Sequence, residues 1–171
     1  MRGHFEGSPR WAGSILVIII LAGSISCAGE ARQRANDQQV QTYEATLQQK
    51  VRSYVYPMGC RAVMPVANDV LYDQGYRIHA EEQDHYQLRT RWKGEETETP
   101  SRYLVQGFPL ADQQCNVQFL REVKGDRSQS HRDLTLELEL LKRLAPEVAR
   151  SFQNQAETAG KAAFKETLNR D

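Results

Sequence analysis

The stretch that decides the fold is Tyr76-Arg-Ile-His-Ala-Glu-Glu-Gln-Asp-His-Tyr-Gln-Leu-Arg-Thr-Arg-Trp92. Apolar and polar residues alternate on both sides of the acidic run 81–84, and alternation with a period of two is typical of a strand with one buried face. The run itself has the composition of a turn. The stretch therefore predicts a β-hairpin with one buried face and one basic, polar face.

Two further strands follow the hairpin along the chain. Residues 102–108 are predicted to form the third strand, which ends at Gly107-Phe108-Pro109, and residues 115–123 the fourth. In the fourth strand, Cys115 begins a row of alternate apolar residues that points toward the core. The loop 93–100 between the second and third strands is acidic.

Helical periodicity appears on both sides of these strands. Apolar residues recur at spacings of three and four in 37–54 and 60–74, and Gly75 is placed to end the second of these helices. After the strands, Leu134, Leu136, Leu138 and Leu140 alternate as a strand would, but the long run of good helix formers favours a helix from Asp133. Pro146 is placed to start a last helix, which is predicted to run to about residue 168.

The order helix, helix, four strands, helix, helix predicts an α+β fold. We expect a four-stranded antiparallel sheet with amphipathic helices packed on one face, and a second face open to water.

Composition limits the classes of partner. The chain has 171 residues, with 22 Lys and Arg against 22 Asp and Glu, so its formal net charge is zero. Nucleic-acid binding normally requires a basic excess, so we expect no nucleic-acid partner. The content of hydrophobic residues, 40%, is enough for one modest core.

The first 26 residues have the organisation of a secretory signal peptide. Arg2 and Arg10 precede the aliphatic run 15–21, and the small residues that follow lead to Cys27. The aliphatic run is short for a membrane span, which needs about 20 apolar residues. Because the uncharged stretch extends over 11–29, an uncleaved anchor in the inner membrane remains the alternative.

The residues Ser24-Ile25-Ser26-Cys27 resemble the lipobox of bacterial lipoproteins. The departure is Ser24, where leucine is usual. The resemblance implies that Cys27 is acylated, with palmitate among the attached chains, and becomes the mature N-terminus. Residues 27–36 would then be the lipidated cysteine and a tether, and 37–171 a single domain. Ala28 would favour the outer membrane, with the domain facing the periplasm. Ordinary cleavage, which discards Cys27, is a further alternative.

The three cysteines fit an exported chain. If Cys27 carries lipid, Cys60 and Cys115 remain as one pair. Exported chains are oxidised, and a helix that starts at Cys60 would cover the row that begins at Cys115, so we predict a Cys60–Cys115 disulfide. The alternative is two buried thiols.

The region 60–124 resembles the repeated domains of BamC-type outer-membrane assembly lipoproteins. The resemblance is carried by Leu71-x-x-x-Gly75-Tyr76-x-Ile78, by Asp84 and by Leu88-x-Thr90-x-Trp92. Those domains often have glycine after the turn acid, where this chain has His85-Tyr86. The resemblance implies a non-catalytic role in the cell envelope, without a cofactor.

The candidate binding face consists of Arg77, Arg89 and Arg91, which the alternation places together on the open face of the hairpin. Acidic lipid headgroups, anionic glycans or an acidic protein are the classes of partner that such a face fits.

Two other groups of residues have the types needed for chemistry. The residues His79, Glu81, Asp84 and His85 are potential transition-metal ligands, although a solvated turn explains them better, and we predict no metal site. Residues Ser128, Ser130, His131 and Asp133 have the types found in a hydrolase triad, but triad members normally come from separate segments. We therefore expect no catalytic residues.

The sequence thus predicts a lipid-anchored periplasmic or outer-membrane lipoprotein that acts as a non-catalytic binding or scaffold domain. Its partners would be the membrane, through the lipid, and an envelope protein or glycan. One alternative is a small envelope hydrolase. Another is a carrier of an apolar ligand, which would need an apolar cavity beneath Tyr76, Leu88 and Trp92.

Overall fold

The computed structural model describes residues 15–94, 99–125 and 130–170, and it describes side chains from residue 29 onward except that of Asp112. The helices are α1 (Ile15–Arg52), α2 (Cys60–Asp73), α3 (Leu134–Leu144) and α4 (Pro146–Arg170). The strands are β1 (Ile78–Glu82), β2 (Gln87–Thr90), β3 (Ser101–Leu110), β4 (Gln114–Val123) and β5 (His131–Arg132). This order confirms the predicted α+β class.

The strands form one antiparallel sheet in the order β1-β2-β3-β4-β5. A single 3-10 turn, Gln83–His85, joins β1 to β2 and confirms the hairpin. The predicted number of four strands is wrong, because β5 adds a fifth. Its two residues pair with Leu120 and Arg121 of β4. A segment of two residues has no periodicity of its own, so only its contact with β4 makes it a strand.

The core lies between the sheet and helices α2 and α3. Alternate residues of β3 and β4 are buried on the inner face of the sheet, among them Val105, Val117 and Phe119. They belong to one apolar cluster with Val63 and Val70 of α2 and with buried leucines of α3. Burial of one face by helices explains why polar and apolar residues alternate in both strands.

The disulfide between Cys60 and Cys115 is present and confirms the predicted pairing. Cys60 is the first residue of α2 and Cys115 lies near the start of β4, with 4.9 Å between their Cα atoms. Both residues are buried. Beside them, Tyr56 and Cys115 exchange two backbone hydrogen bonds of 2.8 and 3.1 Å. The bridge therefore holds the N-terminus of α2 against the inner face of the sheet.

Helix α3 resolves the ambiguous leucine pattern in favour of a helix, as predicted. The Asp133 carboxylate caps it by accepting hydrogen bonds from the backbone N–H groups of Thr135 and Leu136, at 3.0 and 3.2 Å. Pro146 is the first residue of α4, where a missing N–H costs nothing.

Helices α1 and α4 pack along each other. Gly160 of α4 is buried, and a Cβ atom there would lie 2.9 Å from the carbonyl oxygen of Gln39, so the helices meet at a distance that only glycine allows. The predicted tether at 28–36 is helical and continuous with α1, and Ala35 within it is fully buried. The first helix therefore starts well before the predicted residue 37, because its contact with α4 outweighs the polar composition of this segment.

Candidate functional site

The three arginines of the candidate binding face lie on the outer face of the sheet, opposite the helices. Leu88 and Thr90 of β2 are buried on the inner face, so Arg89 between them points to the outer face. Arg91 directly follows β2. The backbone N–H of Arg91 donates to the carbonyl oxygen of Arg77 at 2.8 Å, which places these two residues side by side on neighbouring chain segments. All three side chains are exposed.

These arginines differ from Arg102 and Arg132 of the sheet in their ion pairing. Arg102 binds Glu122 at 2.5 Å and Arg132 binds Glu137 at 2.7 Å. Among the residues that the structure describes, no carboxylate lies within ion-pair distance of Arg77, Arg89 or Arg91. The guanidinium of Arg77 instead lies 4.0 Å from the ring centroid of the exposed Tyr72. The hairpin thus presents three positive charges that no described acid neutralises.

The strands beside Arg89 carry uncharged side chains on the outer face, and the Arg102–Glu122 pair lies further along it. Cross-strand pairing puts Arg89 beside Leu104, and Leu104 beside Leu120. Gln87, Gln106 and Gln118 form the next row. These side chains are partly exposed. Amide groups beside guanidinium groups supply the hydrogen-bond donors that an anion with several oxygen atoms requires.

A cleft of about 450 Å³ opens on the other side of the hairpin, between α2 and the inner face of β1 and β2. We call it the hairpin cleft. Its lining residues are Arg61, Met64, Pro65, Glu81, Glu82, Gln83, Asp84, Tyr86, Gln87 and Leu88. The lining combines the apolar side chains of Met64, Pro65 and Leu88 with three carboxylates and one guanidinium. Its volume lies within the range of small-molecule and peptide sites.

A close approach of chain segments forms the floor of the hairpin cleft. A Cβ atom on Gly107 would lie 3.0 Å from the Cβ atom of Tyr86, 3.1 Å from Sδ of Met64 and 3.3 Å from Sγ of Cys60. Tyr86 has a positive φ of 49°, a rare conformation for a tyrosine. Sequence reasoning missed this cleft, because its two walls come from separate segments of the chain, 61–65 and 81–88. The acidic run 81–84 after a helix was the one signal available.

The carrier hypothesis requires an apolar cavity beneath Tyr76, Leu88 and Trp92, and the hairpin cleft is lined by only one of these residues. This residue is Leu88. Tyr76 packs edge-to-face on Tyr103, with ring centroids 4.9 Å apart, and its hydroxyl lies 3.0 Å from that of Ser101. Trp92 lies under the guanidinium of Arg102 at 4.5 Å. Both aromatic side chains named for the cavity thus have protein partners.

The metal and triad residues do not converge in the part of the chain that is described. His79, His85 and His131 are exposed. No group of three or more His, Cys, Asp and Glu residues is close enough there to hold a metal ion. Asp133 caps α3 and accepts a hydrogen bond of 2.6 Å from the Tyr103 hydroxyl. Ser128 lies outside the described residues.

One buried ion pair joins four segments beside the sheet. Arg132 donates to both carboxylate oxygens of Glu137, at 2.7 and 2.8 Å, and to the carbonyl oxygen of Arg52 at 3.0 Å. The backbone N–H of Phe119 also donates to Glu137. Burial raises the pKa of Glu137 above its ordinary value, and the bonds from Arg132 and Phe119 offset part of that rise. Both carboxylate oxygens accept hydrogen bonds from protein donors, so this carboxyl group has a structural role.

Cys27, the predicted lipidation site, belongs to α1, and the structure describes its backbone but not its side chain. The same holds for the side chains of the predicted signal peptide, of which residues 1–14 are not described at all.

Within the described part of the chain, no helix combines the length and the apolar character that crossing a membrane requires.

Neither a protein-family model nor a curated protein matches this chain. The resemblance of 60–124 to BamC-type domains therefore stays a prediction.

Proposed function

We propose that this chain is a lipid-anchored, non-catalytic binding module of the bacterial cell envelope, and that its outer sheet face binds an anionic envelope component. One observation carries the proposal. Arg77, Arg89 and Arg91 lie together on an exposed face, and no described carboxylate is paired with them. Solvated arginines without acidic neighbours create a local positive potential even in a chain of zero net charge.

The geometry of the face fits a flat or extended anion better than a small enclosed one. Among the described residues, the helices that pack on the sheet, α2 and α3, cover its inner face, and Arg89 is flanked by Gln87 and the half-exposed Leu104. A polymer with repeated acidic groups, such as an anionic glycan, can contact all three guanidinium groups at once. An open face also lacks the enclosed cavity that a hydrolase needs to exclude water.

The proposed location rests on the N-terminal sequence and agrees with the disulfide. A signal pattern that ends at Cys27 suggests export and acylation. A buried disulfide between Cys60 and Cys115 is the expected state of such a chain in an oxidising compartment.

The binding face is tested with a variant that removes its charge. We expect Arg77→Gln/Arg89→Gln/Arg91→Gln to bind immobilised heparin, used as a model anionic glycan, about tenfold or more weakly than the wild type at about 150 mM salt. The reason is the loss of three guanidinium contacts while the neutral hydrogen-bonding surface remains. Surface plasmon resonance with the full chain in detergent measures the dissociation constants.

A matched control removes the same charge elsewhere. Lys124→Gln/Arg150→Gln/Lys165→Gln changes three exposed cations outside this face. We expect it to bind heparin nearly as the wild type does. If both triple variants lose affinity equally, only total charge matters and the assigned face is wrong.

The anchor is tested by labelling cells with a radioactive fatty acid. We expect the wild type to carry the label and Cys27→Ser to carry none, because the thiol is the atom acylated. Ser24→Leu, which supplies the usual lipobox residue, serves as the control and should label at least as strongly as the wild type. Label that persists on Cys27→Ser would contradict the proposal.

A further inference from the structure

β1 is an edge strand with an open side. It pairs with β2 alone, and no other strand or bridge of the described residues occupies its outer edge. Four of its five residues are exposed. Pairing with β2 is regular from Ala80 to Glu82, after a shift of register at Ile78. Unpaired backbone N–H and C=O groups along such an edge are a template for a further strand.

The hairpin cleft lies directly beside this edge. Glu81 pairs with Leu88, and Leu88 points to the inner face, where the cleft lies. Because side chains alternate across a pleated sheet, a strand added to β1 would direct every second side chain toward the inner face, over the cleft. Met64, Pro65 and Leu88 offer apolar contact to those side chains. Backbone pairing and side-chain burial are therefore available at the same place.

The charges at this place select the occupant. Glu81, Glu82 and Asp84 carry three negative charges at the rim, and Arg61 opposes them alone. A second copy of this chain, paired through its own β1, would bring like carboxylates together, which disfavours self-association. An extended segment with Lys or Arg residues would instead place positive charges beside these carboxylates, which favours its binding.

We propose that β1 and the hairpin cleft together bind an extended basic segment of a partner protein by strand addition. The segment pairs with the edge of β1, inserts alternate apolar side chains into the cleft and places its cations at Glu81, Glu82 and Asp84. This site lies at the edge of β1 and between the hairpin and α2, and it does not depend on the function proposed for the arginine face.

The test uses a synthetic peptide of about seven residues that alternates Lys and Val, added to the full chain in detergent. We expect it to bind about tenfold or more tightly than the matching Glu/Val peptide, and to shift the backbone amide resonances of 78–82. A Lys/Val peptide with N-methyl groups at alternate positions keeps the charge but cannot form the strand. We expect it to bind about tenfold or more weakly than the unmodified peptide.

Two variants locate the binding. Glu81→Lys/Glu82→Lys should weaken the Lys/Val peptide about tenfold. Glu157→Lys/Glu166→Lys, which makes the same charge change on exposed residues of α4, should leave its affinity nearly unchanged. Equal affinity for the N-methylated peptide would overturn strand addition. No amide shifts in 78–82 at about 1 mM peptide would overturn the site itself. So would dimerisation of the chain through β1.

Discussion

Reduction of the Cys60–Cys115 disulfide is expected to lower the free energy of unfolding by about 4 kcal/mol. The bridge closes a loop over a sequence separation of 55 residues, so it removes many extended conformations from the unfolded chain. It also joins the N-terminus of α2 to β4, and Sγ of Cys60 packs against Gly107 below the hairpin cleft. Urea unfolding of the full chain with and without dithiothreitol, followed by circular dichroism, measures the difference.

Two variants separate the cross-link from the rest of the chain. Cys60→Ala/Cys115→Ala should be destabilised by a similar amount and should not respond to dithiothreitol. Cys27→Ala retains the bridge and should respond as the wild type does. Mass spectrometry of the reduced wild type checks that both thiols are free. If its urea unfolding midpoint is then the same as that of the oxidised protein, the bridge contributes nothing to stability.

The second large effect is expected at Glu137. Glu137→Ala should lower the free energy of unfolding by about 3 kcal/mol, because it leaves the guanidinium of Arg132 and the backbone N–H of Phe119 without their shared acceptor in a buried site. Glu137→Gln keeps one acceptor oxygen for these donors, so a cost of about 1 kcal/mol is expected at neutral pH. Urea unfolding of the three proteins gives the comparison.

The cost of Glu137→Gln should depend on pH in a defined direction. The pKa of Glu137 is raised in the folded state above its ordinary value of 4.5, so the folded protein holds this proton more tightly than the unfolded chain does. The stability that follows from this shift is present below pH 4.5 and is lost as the pH rises through the folded-state pKa. The wild type should therefore exceed the Gln variant by more at about pH 4 than at about pH 7.

A carboxyl group on the same helix provides the control. Glu139 is partly exposed and contacts Arg143 and Lys142 on the surface of α3. Glu139→Gln should change the stability by less than about 0.5 kcal/mol. A cost of Glu137→Gln that grows as the pH rises from 4 to 7 would show that attraction to Arg132 outweighs burial and that the pKa of Glu137 is not raised.

Most elements were predictable because their signals are local. The alternation in 76–92 and the three-four spacing in 60–74 correspond to β1, β2 and α2 within a few residues. The disulfide was predictable as well, since only two cysteines remain after Cys27 and the strand pattern gave Cys115 an inward orientation.

The candidate site was predictable in part. The sequence placed Arg77, Arg89 and Arg91 on one face, because pleating fixes the side to which each residue of a strand points. It did not show that Arg102 and Arg132 have acidic partners whereas these three lack described ones. Ion pairing depends on which strands are neighbours, and that is set by the whole sheet.

Sequence by itself determined the class of the fold, the hairpin and the pairing of Cys60 with Cys115, since each depends on periodicity or on a count of residues. Tertiary structure alone decided β5, the helical extension of α1 along α4 and the hairpin cleft. Each of these exists only through contact between distant segments: His131 and Arg132 with β4, Gln39 with Gly160, and the wall of α2 with Glu81 and Leu88. Such contacts leave no period in the chain, because the free energy that forms them comes from burial and pairing after collapse.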